Sequence, residues 1–236
     1  MEKYGHCDKT GEDGARRRDE VSVSGSKGGG RPQGAAVNAL LTLVAPGCGA
    51  GEVIDWGAVS AAWGTRFPDD YVDFMGVYGE GVMSEHLYIL HPLSTAGDAT
   101  HCQMRQETAT ACAVAARLGD VAGLPKGSPY PLIAWGVTTG PDILCWVTED
   151  SDPNSWPVAV FGRHTEAPVA LYDCGMVEFL RSLLHGAFPV CPVSGAELWG
   201  RRDVKFLHWR EQKRLWAAGV NPWTGEPDPY ADEEWD

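Results

Sequence analysis

The chain has 236 residues, 44% of them hydrophobic, which suffices for one full core with short appendages and would crowd two large domains. Its formal charge of -13 is unevenly spread: residues 35–200 carry net -12, residues 1–34 net +1 and residues 201–236 net -2. An acidic body repels nucleic acid and anionic membrane surfaces and speeds encounter with a cationic partner, although acidity also serves solubility alone.

Residues 1–35 are polar and rich in Gly, Ser and Arg, with almost nothing to bury, and are expected to form a disordered leader outside the fold. The Gly-rich stretch from Gly25 to Arg31 lacks the Lys-Ser/Thr and the strand-to-helix context of a phosphate-binding loop. A short helix is expected over Asn38–Ala45, ended by Pro46 and Gly47. A second begins after Asp55, whose carboxylate caps it, and sets Trp56, Val59 and Trp63 on one stripe before Gly64. The third has the clearest pattern. Pro68 starts it, Asp69 and Asp70 favour the positive end of the helix dipole, and Tyr71, Phe74, Met75 and Tyr78 form one face before Gly79.

Leu87–Leu90 then reads as a strand and Met104–Leu118 as an alanine-rich helix. Short β-branched or aromatic segments follow at 132–137, 143–147, 158–162 and 169–172, separated by turn residues such as Thr139-Gly140-Pro141-Asp142, and predict an antiparallel meander. Met176–His185 closes the series as a helix, with Asp173 available as its cap. The expected fold is α+β, an antiparallel meander sheet packed against helices at both ends of a domain spanning residues 36–190. Residues 191–236 form an appendage in which Phe206, Leu207, Trp209 and Trp216 alternate with basic residues before an acidic tail. Such interleaving binds nucleic acid in some proteins, but the expectation here is an amphipathic helix laid on its own acidic domain.

Trp63, then Pro68-Asp69-Asp70-Tyr71, Phe74 and Tyr78-Gly79-Glu80-Gly81, the strand at 87–90 with Pro92, and later Asp142 to Trp146, Asp152-Pro153-Asn154-Ser155-Trp156-Pro157-Val158 and Glu178-Phe179-Leu180 make an ordered set. It resembles the signature of the SUKH superfamily, the Smi/Knr-type cell-wall-assembly-regulator family, whose bacterial members are known mainly as toxin-immunity proteins. The resemblance covers roughly residues 38–186. It implies a binding domain in which Trp63, Pro68, Tyr71, Phe74, Tyr78, Gly79 and Gly81 define the fold, with Tyr78 and Glu80 the members expected to reach the surface. The leader and the C-terminal segment lie outside the family pattern, and Glu80 sits where small residues are frequent.

No chemistry-bearing constellation emerges. The seven cysteines include no Cys-x-x-Cys or zinc-ligand pair, so they read as reduced core thiols. The seven histidines include no His-Glu-x-x-His. A Cys145, His164, Asp173 triad is easily written by chance, and Cys145 alternates like a core thiol. Asp150 to Asn154 begins like a calcium loop, but Ser155 and Phe161 stand where Gly and Glu are required. The chain is therefore expected to be non-enzymatic, with no catalytic residue, metal or cofactor. No apolar run approaches the roughly 18 residues of a membrane span, and the first residues are charged rather than apolar, so cytoplasmic residence is expected.

The expected partner is a basic protein, such as a nuclease toxin, with no nucleic-acid or membrane contact. Asp69, Asp70, Asp73, Glu80, Glu149, Asp150 and Asp152 are the candidate binding carboxylates. They make a patch if they converge in space; otherwise they are helix caps and solubility charges. An intracellular regulatory adaptor and an unrecognised enzyme are the rival functions, and a pocket holding titratable groups with perturbed pKa values would point to the latter.

Overall fold

The structure is a computed structural model, and it describes residues 34–47, 50–93, 103–120, 123–125, 129–162 and 168–229. Among these are six α-helices and one antiparallel sheet of seven strands, so the fold is mixed α+β. The Gly25–Arg31 stretch and His164 lie outside the described residues.

Helices α1 (Ala35–Leu41), α2 (Trp56–Trp63) and α3 (Asp69–Val77) precede strands β1 (Gly81–Met83) and β2 (Leu87–Ile89). Helix α4 (Met104–Leu118) leads into β3 (Leu132–Thr138), β4 (Ile143–Val147), β5 (Val158–Phe161) and β6 (Val169–Tyr172). Helix α5 (Met176–His185), β7 (Phe206–His208) and α6 (Trp209–Ala217) complete the order. The sheet runs β6-β5-β4-β3-β2-β1-β7, a six-strand meander to which the last strand returns at the far edge.

Successive side chains of a strand face opposite ways, and here both faces are covered. On β4, Trp146 meets Tyr71 of α3 edge-on at 5.0 Å, while its neighbour Cys145 faces the layer that holds α4. Trp135 of β3 meets Phe179 of α5 at 5.9 Å. Helices α1, α3 and α5 thus pack together on one face and α4 on the other. This explains why β3, β4 and β5 are buried at every residue and read in sequence as continuous apolar runs.

Local signals account for the helix ends. The Asp55 carboxylate accepts the Gly57 and Ala58 N–H groups at 3.0 Å each, and Gly64 ends α2 in the left-handed region at φ 72°. The expected cap of α5 is corrected. Gly175 occupies the cap position, and the carboxylate comes from α3 instead, with the Val177 N–H donating to Asp70 Oδ2 at 3.0 Å.

The boundary expected at residue 190 is also corrected. Phe206, Leu207 and His208 pair with Met83, Val82 and Gly81, so the C-terminal segment supplies a strand of the same sheet. The helix expected across this region begins only at Trp209. A second tie lies upstream: wholly buried Asp142 accepts both the Ser194 N–H and its hydroxyl at 2.6 Å, fastening the 194 loop to the β3–β4 turn.

Candidate functional site

The seven residues that the resemblance marks as fold-defining lie as follows. The Tyr71 hydroxyl donates to Leu90 O at 2.6 Å and the Tyr78 hydroxyl to Val44 O at 2.7 Å. Phe74 stacks on Tyr78 at 4.7 Å, and the Trp63 indole donates to Pro92 O at 2.7 Å under the Arg105 guanidinium. Pro68 is buried ahead of α3. Tyr78, expected to reach the surface, is fully buried, because its ring fills the space between Phe74 and Phe206. Gly79 and Gly81 owe their identity to β7 as well as to the turn. At Gly79 (φ 70°) a Cβ would stand 2.7 Å from the His208 ring, and at Gly81 it would overlap Leu207 O and the Phe206 ring.

The candidate carboxylates divide into three groups. Asp70 and Asp73 are internal fasteners. Asp70 holds the start of α5, and Asp73 accepts the Gly34 N–H at 2.8 Å at the start of α1. Burial pushes the Asp70 carboxyl above the usual range and Asp73 and Asp69 add to the shift, against the Val177 and Tyr71 N–H groups. Both carboxylates, half-buried, are thus engaged within the fold.

Asp69 is joined to the loop that carries Glu149, Asp150 and Asp152. Asn154 accepts the Asp69 N–H at 2.8 Å and its side-chain amide reaches Asp69 Oδ2 at 3.3 Å, joining the start of α3 to the β4–β5 loop. Within that loop Asp150 accepts the Asp152 N–H at 2.8 Å and Asp152 accepts the Asn154 N–H at 3.1 Å. A 3-10 turn over Pro153–Ser155 follows, and buried Trp156 donates its indole N–H to Asp150 O at 2.7 Å. Glu149, Asp150 and Asp152 are exposed on this anchored loop. The turn that resembled the start of a calcium loop is thus closed by its own side chains.

Glu80 belongs to a separate site that the sequence did not reveal. Glu52, in the loop before α2, has a nearly buried carboxylate 3.1 Å from His208 Nε2, 3.3 Å from Trp209 Nε1, 3.2 Å from Arg210 Nη2 and 3.1 Å from His91 Nε2. Glu80 and Asp55 line the same cleft of about 250 Å³. The His208 Nδ1 accepts the Arg210 N–H at 3.1 Å, which caps α6 and leaves the ring proton on Nε2, aimed at Glu52. Burial opposes the charge on Glu52, yet the hydrogen bond from His208 and the close approach of the His91 imidazole outweigh it and hold the carboxyl well below the usual carboxylate range. Burial likewise opposes charge on His91, but Glu52, the Leu93 carbonyl at 2.5 Å and Glu80 raise the imidazole above its ordinary value. The only sequence signal for this cluster was an isolated glutamate between glycine and valine, whose partners lie up to 158 residues away.

The triad dissolves at its nucleophile. Cys145 is wholly buried, and burial first, then Cys112 and Glu107, push its thiol far above the ordinary value, away from the reactive thiolate. Cys112, Cys145, Cys174 and Cys191 are free thiols. No described helix is long and apolar enough to cross a membrane.

No protein-family model matches the chain, and neither the curated proteins nor the solved structures contain a match to it.

Proposed function

We propose that this chain is a SUKH-type immunity domain that binds a basic toxin domain stoichiometrically and blocks it without catalysis. The joining of Asp69 to the loop of Glu149, Asp150 and Asp152 through Asn154 carries this reading. Three exposed carboxylates within four residues, on a loop fixed by Trp156, form a face of one charge whose geometry is set before a partner arrives. Such preorganisation lowers the ordering cost of binding, and the charge steers a cationic partner and excludes anionic ones. The Trp63, Tyr71 and Phe74 packing gives the ordered motif set a structural role, as the resemblance implies.

A tagged pull-down from the native cell at low and high salt, with mass-spectrometric identification, tests the proposal. The expected result is one small basic toxin domain, held more weakly as salt rises and lost in the Asp150→Lys, Asp152→Lys double variant. Retention of that protein by the double variant removes the acidic loop from the mechanism. A set of unrelated housekeeping proteins identifies a regulatory adaptor instead.

A further inference from the structure

We propose that residues 204–229 form a strap that opens from the domain as one unit, swinging at residues 200–203, with Glu52 as its latch. The proposal rests on geometry at the β1 edge and is independent of the partner reading above.

The strap's parts hold one another. Helix α6 packs on β7, Val220 bridges to Pro227, the Asp228 N–H donates to Gly219 O at 2.7 Å, and Lys205 Nζ reaches Trp223 O at 3.5 Å. Helix α6 buries none of its own residues. The body holds the strap along one band: the three-residue pairing of β7 with β1, Lys205 against Ser84, the Phe206 ring against Phe74 and Tyr78, and the Glu52 carboxylate. Glu52 gathers donors from three consecutive strap residues, His208, Trp209 and Arg210, and is steadied from the body by His91. Hydrogen bonds to a buried charge are worth more than neutral ones, so this carboxylate carries a large share of a short attachment.

The receiving side is a slot shaped by glycines. A Cβ at Gly47 would lie 2.9 Å from Phe206 O, on the side of β7 away from β1, and Gly79 and Gly81 make room for His208, Leu207 and Phe206 as described above. On the body side of the swing point, the Gly200 N–H is tied to Leu183 O at 3.0 Å. Gly200 stands at φ 72°, and Arg201, Arg202 and Asp203 after it are exposed. Strands β3 to β5, covered on both faces, have no comparable weak seam. Opening along the strap boundary, an edge of the sheet held by one three-residue strand, uncovers β1 with the Phe74 and Tyr78 rings.

Hydrogen–deuterium exchange on the full chain tests the strap without any partner, so its failure leaves the acidic-face reading untouched. In the wild type, amides of β7 and α6 are expected to exchange together and faster than those of β3 to β5. In Glu52→Gln their shared protection is expected to fall about tenfold or more, with β3 to β5 unchanged. Exchange of β7 only in step with β3 to β5, or an equal loss across the sheet in Glu52→Gln, overturns the proposal. Should Glu52→Gln fail to fold, Trp209→Phe removes one donor and keeps a ring. A selective loss in β7 and α6 supports the latch, and an even loss refutes it.

Discussion

Asn154 and Asp69 clasp each other across 85 residues of sequence, the Asn154 side chain accepting the Asp69 N–H and donating to its carboxylate. This clasp turns a loop and a helix start into one acidic face. Asn154→Ala is expected to cost about 1 kcal/mol of stability and to speed amide exchange over residues 149–155. Unchanged exchange there would show that Trp156 and the local turns hold the loop unaided.

The Tyr71 hydroxyl is buried and satisfies the Leu90 carbonyl. Tyr71→Phe keeps the ring contacts with Phe67 and Trp146 and strands that carbonyl, so chemical denaturation is expected to show a loss of about 1–3 kcal/mol. An unaltered midpoint would mean that the carbonyl finds another donor.

Asp142 binds the Thr138 hydroxyl as well as Ser194, and Asp142→Ala leaves the buried Thr138 and half-buried Ser194 donors without their acceptor. A loss of about 2 kcal/mol or more is expected, with Ser194→Ala costing less because its N–H bond survives. The double variant should lose less than the sum of the two, since both act on one contact. Additive losses would separate Asp142 from the 194 loop.

His91 predicts a pH dependence. Its folded-state value is raised, so its contribution is fully present below the ordinary histidine value, near about 6.5, and is lost as pH rises through the higher folded value. Glu52 has the opposite sign: its folded value is lowered, and its contribution fades only as pH falls below the ordinary carboxylate range. Stability of the wild type should therefore decline from about pH 6.5 upward, and His91→Gln should flatten that decline. An identical slope in the variant would place the titration elsewhere.

Helix α3 and the caps of α2 were legible in sequence because they depend on neighbours within one or two turns: Pro68, the Asp69-Asp70 pair, the Tyr71-Phe74-Tyr78 face, and Asp55 before α2. The strands β3 to β6 were legible for a similar reason, as β-branched runs between turn residues. Strand β7 was not. Three residues, Phe206-Leu207-His208, leave no period to read, and the basic and aromatic residues after them suggested a helix from the start. Strand pairing over more than 120 residues is chosen by the glycine slot that receives it, which exists only in the folded chain.

The same division holds for charge. Sequence by itself determined that the body is acidic and which carboxylates stand near helix starts, since both follow from composition and local order. Only the tertiary structure decided their roles: Asp70 and Asp73 as fasteners, Asp69 with the 149–152 loop as a face, and Glu52 as the centre of a buried cluster. A carboxylate's role depends on what the fold packs within hydrogen-bond reach, and those partners come from distant segments whose approach no local pattern records.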